Sequence, residues 1–176
     1  MTELELIEQC KKADPKAQHA LFTAYKRIWF TICLRYANNY DDACDMLQNA
    51  LITIYSKLNL FNAELGDFKA WSNRVVINEA IMFLRTLKYL DLTDDISSAQ
   101  VLADHAETAV EKLSAEELTM LLQKLPPGYR VVFNMYVLEG YTHKEIAEKL
   151  GVTEGTSKSQ YFKAKDLLRR QLELIL

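Results

Sequence analysis

Helix breakers are scarce in this chain. Five glycines and three prolines serve 176 residues, and no stretch alternates apolar and polar residues for long enough to build a strand. Apolar residues recur instead at helical spacing along most of the length, so the predicted fold class is all-α. Hydrophobic residues make up 49% of the chain and charged residues 26%, a balance that lets small helical domains bury cores of their own. No uncharged apolar run approaches the ~18 residues of a membrane span. The first twelve residues mix acidic and apolar types, without the basic start and apolar run of a signal peptide. Three cysteines (Cys10, Cys33 and Cys44) offer neither a disulfide framework nor a zinc spacing. They fall in apolar-periodic stretches and are expected to behave as small buried hydrophobes. The expected compartment is cytoplasmic, with no metal or other cofactor.

The punctuation divides the chain. Asp14-Pro15 starts a helix that runs to about Tyr36, with proline tolerated in its first turn. Asn38-Asn39 breaks it, and Asp41-Asp42 opens the next, two acids placed against the positive end of the helix dipole. Ala43, Leu47, Ala50, Leu51, Ile54 and Leu58 give that helix one buried stripe. A turn-like stretch from Asn59 to Gly66 leads to a third helix over Asp67–Lys88. Its apolar coverage is broad (Phe68, Trp71, Val75, Val76, Ala80, Met82, Phe83, Leu87), and Arg74, Asn78, Ile81, Arg85 and Lys88 make a partly basic stripe beside it. From Asp91 to Glu111 six acids meet no lysine or arginine and the apolar spacing weakens, which reads as an acidic linker. The expected organisation is two small helical domains, residues 1–90 and 113–176, joined by a linker over 91–112.

The second domain carries the sharpest pattern. Thr142-His143-Lys144-Glu145 fits a capping box, and Ile146, Ala147 and Leu150 face inward from the short helix it starts. Gly151 ends that helix, Val152 plugs the turn, and Thr153 caps a longer helix. Short helix, glycine turn, capped longer helix is the helix-turn-helix pattern, whose second helix enters the major groove. Tyr161, Ala164, Leu168, Leu172 and Ile175 form the apolar stripe of that helix. Its other face holds Lys158, Ser159, Phe162, Lys163, Lys165, Arg169 and Arg170, with Asp166 the one acid. The whole chain has a net charge of −3, so this local basic face is where phosphate binding would reside. Phe162 among the lysines suits contact with a thymine methyl or a sugar.

Three segments, in order, resemble the extracytoplasmic-function class of RNA polymerase sigma factors. Asp41-Asp42-Ala43-Cys44-Asp45-Met46-Leu47-Gln48-Asn49 is similar to the family segment that docks on the polymerase clamp. Phe68-Lys69-Ala70-Trp71 through Arg74 to Asn78 is similar to the helix next to the minus-ten loop. Leu125-Pro126, Glu145 to Val152 and Gly155 to Ser159 are similar to the minus-thirty-five reader. The resemblance implies an initiation factor with core RNA polymerase and promoter DNA as partners, commonly an anti-sigma factor as well, and no small-molecule substrate. It implies core contact through Asp45, Gln48 and Asn49, and minus-ten contact through Asn62, Lys69, Arg74, Asn78 and Arg85 around a loop that holds a flipped base. Minus-thirty-five contact falls to Thr156, Lys158, Ser159, Phe162, Lys163 and Lys165. Asn49 stands where the family favours an acid, Ser72 and Ser157 where leucine and valine are common, and Val76 where alanine is usual.

Two other classes compete. A stand-alone helix-turn-helix regulator would share the second domain, but residues 1–90 show no phosphoacceptor βα pattern. An enzyme is not expected: His19, His105 and His143 lie far apart in sequence, with no glycine-rich phosphate loop and no nucleophile motif.

Overall fold

In the computed structural model, residues 1–87, 90, 92 and 112–175 are described. All secondary structure among them is helical. The chain divides into two compact units, Met1–Phe83 and Leu84–Leu176, so the division falls near the C-terminal end of the third long helix. The acidic stretch anticipated over 91–112 lies almost wholly outside the described residues.

The first unit opens with a helix the sequence reading did not delimit. Helix α1 spans Glu3–Lys11 and starts in a full capping box between Thr2 and Glu5. Helix α2, Pro15–Tyr36, is capped by the Asp14 carboxylate, which accepts from the Lys16 and Ala17 amides. Helix α3, Tyr40–Lys57, begins one residue before the Asp41-Asp42 pair, because the Asn39 side chain accepts from the Asp42 amide at 2.8 Å. A 3₁₀ turn over Leu58–Leu60 follows. Helix α4, Phe68–Thr86, starts where the Asp67 carboxylate accepts from the Ala70 amide at 2.7 Å.

Aromatic rings pack the centre of this unit. Tyr25 stacks on the fully buried Trp29 at 5.3 Å, and Phe68 meets both rings edge-on. Phe68 also touches Phe61 and Trp71, which extends the cluster toward the surface. Ser72, where leucine was expected by resemblance, is buried and accepts from the Trp29 indole N–H at 3.1 Å. A buried indole needs such a partner, which leucine cannot supply.

Several burial expectations are corrected. Cys10 and Cys33 are buried, and burial pushes the Cys33 thiol up to about 12, but Cys44 is exposed. On α4, Met82 is 57% exposed while Ile81 is buried, so the partly basic stripe is interrupted by Met82 rather than Ile81. Leu87 is also exposed and lies past the end of the helix.

The second unit contains α5, Ala115–Gln123, in a capping box of Ser114 and Glu117. Helix α6, Pro127–Phe133, has proline in its first turn and runs on into a π-helical turn over Asn134–Leu138. The buried Arg130 points its guanidinium at the Gln123 and Leu125 carbonyl oxygens, at the end of α5. Helices α7, His143–Leu150, and α8, Glu154–Glu173, form the expected helix-turn-helix. Thr142 and Glu145 complete the predicted capping box, and Thr153 caps α8. Gly151 sits at φ 68°, the left-handed region, with open space around its missing Cβ. Glycine is needed there for its backbone and not for room. Leu121, Leu122, Leu125, Phe133, Ala164, Leu168 and Leu172 form the core. Ile175, expected on the apolar stripe of α8, is 65% exposed.

Candidate nucleic-acid and polymerase interfaces

The exposed face of α3 presents Asp45, Gln48 and Asn49 together. Their buried counterparts Ala43, Met46, Ala50 and Ile54 hold the opposite face in the core. Cys44 and Ile52 share the outer side, Ile52 with 64% of its surface open.

A cavity of about 260 Å³ lies against the loop that precedes α4. Phe61, Leu65, Trp71 and the Arg74 side of α4 line it, with Asn62 and Asp67 as polar members. The loop holds its shape through local bonds: Asn62 accepts from the Glu64 amide at 2.9 Å, and its carbonyl accepts from Leu65 at 3.1 Å. The Phe61 and Trp71 rings lie 5.7 Å apart at a tilt of 54°, so the wall is aromatic and set on the core cluster. Of the anticipated minus-ten residues, Asn62 and Arg74 line this cavity. Lys69, Asn78 and Arg85 are exposed on α4 but are not among its lining residues. Leu65, Asp67 and Trp71 were not named for this role. The spacing of Phe61, Phe68 and Trp71 was the available signal.

On α8 the anticipated reading residues separate. Lys158 is exposed, and Ser159, Phe162, Lys163 and Lys165 are half-buried. Thr156 is corrected: it is 5% exposed, its amide donates to Thr153 Oγ1, and the two hydroxyls lie 3.0 Å apart. It completes the cap and does not face outward. Lys163 lies 6.0 Å over the Tyr129 ring and Lys165 5.2 Å over Tyr161. Asp166 pairs with both Arg169 and Arg170, and Arg169 also with Glu173. Asp166 and Glu173 therefore offset part of the positive charge in the C-terminal half of the helix, as Glu154 does in its first turn.

His143 is the first residue of α7 and is half-buried. Its ring stacks on Tyr136 at 4.3 Å, and Nδ1 lies 2.8 Å from the Ser157 hydroxyl. Burial first, then the neighbouring Lys158, holds the imidazole below its usual pKa, with Glu154 opposing. The sign follows from linkage. The contribution of neutral His143 to stability is complete above the unfolded value of about 6.5 and is lost as pH falls toward the lower folded value. Calorimetric melting of the second unit should thus weaken below about pH 6.5, and His143→Phe should flatten that dependence.

Comparison with known proteins follows this geometry. The family described as Sigma-70 region 2 matches residues 21–89, and Sigma-70, region 4 matches residues 115–168. The ECF RNA polymerase sigma factor SigW of Bacillus subtilis (strain 168) is 30% identical over 94% of this chain and 94% of its own length. The ECF RNA polymerase sigma-E factor of Escherichia coli (strain K12) is 24% identical over 100% of this chain and 97% of its own. The solved structure of CnrH in complex with the cytosolic domain of CnrY shares the fold, with TM-score 0.50, 18% identity and 96% coverage of each chain. Both units match sigma regions, which leaves the stand-alone regulator without support. No helix among the described residues is long and apolar enough to cross a membrane. The chain belongs to the extracytoplasmic-function class of RNA polymerase sigma factors and is a promoter-directing transcription initiation factor.

Proposed function

We propose that this factor divides promoter recognition between its two units, with residues 1–90 working as region 2, 113–176 as region 4 and 91–112 as the tether. The face of α3 bearing Asp45, Gln48 and Asn49 docks on core polymerase. The cavity beside Asn62, Trp71 and Arg74 takes one unstacked base of the melted minus-ten strand, and the exposed Lys69, Asn78 and Arg85 meet the strand's phosphates. Lys158, Ser159, Phe162 and Lys163 read the minus-thirty-five groove, with Lys165 supporting them from beside Tyr161. An anti-sigma partner restrains the free factor, which acts in the cytoplasm with polymerase and catalyses no reaction of its own.

The observation that carries this reading is the aromatic cavity. A half-open pocket with an indole wall, polar groups and an adjacent arginine suits a planar base on a charged backbone. Trp71→Ala should weaken open-complex formation by about 1–3 kcal/mol, the range for one stacked base. Permanganate footprinting of the melted region checks this, with core binding measured in parallel. Unchanged melting at equal core occupancy would remove the cavity from promoter capture.

The reading helix makes a separate prediction. Lys158→Ala should cost about 1–3 kcal/mol at promoters with an intact minus-thirty-five element, if it bonds a base edge there. Lys163→Ala should cost less, because part of its charge already rests on Tyr129. Transcription from promoters with single-base changes in that element reads out both.

A further inference from the structure

Region 4 holds a polar contact between its two DNA-facing helices that the roles above leave unused. His143 is the first residue of α7, and Ser157 lies in the first turn of α8. Their Nδ1 and Oγ atoms are 2.8 Å apart. Ser157 is fully buried, at a position where resembling sequences commonly carry valine. One face of the His143 ring is covered by Tyr136 from the π-helical turn, and Tyr161 of α8 approaches at 5.7 Å. Three elements of the unit converge on one imidazole.

Valine against an aromatic ring tolerates sliding, since apolar contact is non-directional. A hydroxyl removed from water behaves differently, because losing alignment with its partner leaves it unsatisfied. The His143–Ser157 bond therefore constrains the rotation of the first turn of α8 as apolar packing does not. Lys158 and Ser159 follow Ser157 directly in the chain, so any rotation of that turn carries them with it.

We infer that His143 and Ser157 form a positioning pair, whose hydrogen bond aims Lys158 and Ser159 at minus-thirty-five DNA without either partner touching a base. The inference rests on the reading of α8 as the minus-thirty-five helix.

The test uses the full chain bound to core polymerase, a promoter recovered by run-off transcription from genomic fragments, and a twin with its minus-thirty-five element scrambled. His143→Phe and Ser157→Val should each lower occupancy of the intact promoter by roughly five- to tenfold, a typical coupling between contacting residues. Occupancy of the scrambled twin and affinity for core should not move. The double variant packs in apolar form without a directional bond, so its occupancy should stay at the level of the single variants, because one bond can be lost only once. A role confined to fold stability would give the loss only as far as the second unit unfolds, so thermal melts are recorded in parallel, and the pair predicts the split with that unit still folded at the assay temperature. Ser157→Ala, too small to clash, should repeat the single loss even if valine misfolds the unit.

Single variants with unchanged occupancy would overturn the pair, as would losses that simply multiply in the double variant, the pattern for a direct DNA contact by His143, or a double variant restored to wild-type occupancy, which would show that apolar packing aims the turn equally well. Equal wild-type occupancy of the two promoters would strike the reading of α8 itself.

Discussion

Phe133→Ala is expected to unfold the second unit while sparing the first. Phe133 is 1% exposed, stands among Leu121, Leu122, Leu125, Leu168 and Leu172, and stacks on Tyr161 at 6.2 Å. Truncating a buried phenylalanine costs about 3–5 kcal/mol, from lost transfer energy and the cavity left behind. A unit of this size draws only about 3–5 kcal/mol from its core, so the substitution removes nearly all of its stability. The consequence is specific to the two-unit design. The α3 face and the aromatic cavity belong to the other unit, so core binding and minus-ten capture should persist while sensitivity to the minus-thirty-five sequence disappears. Circular dichroism should lose the melting transition of one unit and keep that of the other. Transcription from promoters with and without a minus-thirty-five match should converge. Simultaneous loss of core binding would show that the units do not fold independently.

Trp29→Ala should have the converse effect, again about 3–5 kcal/mol. It removes the ring that stacks on Tyr25 and meets Phe68, and it takes the indole donor from the buried Ser72 hydroxyl. Phe68 supports Phe61 and Trp71, so the damage reaches the cavity wall as well as the core. Core retention and promoter melting should fail together. Trp29→Phe keeps most of the apolar contact and loses only the N–H, so it should fall between wild type and alanine. Thermal melts with pull-down on core polymerase measure both. A folded Trp29→Ala protein with normal core binding would contradict the packing argument.

The helices were legible because their signals are local. The Thr142–Glu145 capping box, Gly151 and the Thr153 cap each stand in a few neighbouring residues, and each takes its anticipated place. Failures came where tertiary contact decides. Thr156 looked like a reading residue from its place in the motif, but a second hydroxyl at Thr153 drew it into the cap. His143 lies against Tyr136 and Ser157, and nothing local in the sequence brings these residues to it. The π-helical turn that presents Tyr136 has no simple residue signature. Met82 and Ile81 exchanged places on α4 because one residue is about 100° of rotation, enough to carry a side chain from core to solvent. The Asn59–Gly66 loop was legible as a turn-like stretch, and resemblance supplied its role, whereas the cavity behind it needed the aromatic cluster of Phe61, Phe68 and Trp71 in three dimensions.

Net charge links the two halves of the mechanism. A chain at −3 overall, with five of its 21 lysines and arginines on α8, should bind DNA weakly by itself at physiological salt. If α8 reads the minus-thirty-five element as proposed, docking on polymerase would hold it beside the duplex and effective concentration would make up the difference. The most direct test is to combine the purified factor with bacterial core RNA polymerase and transcribe a genomic fragment library by run-off. A stable complex with discrete transcripts, absent when either component is omitted, is the predicted result. No retention on core, together with sequence-specific DNA binding by the free chain, would contradict it.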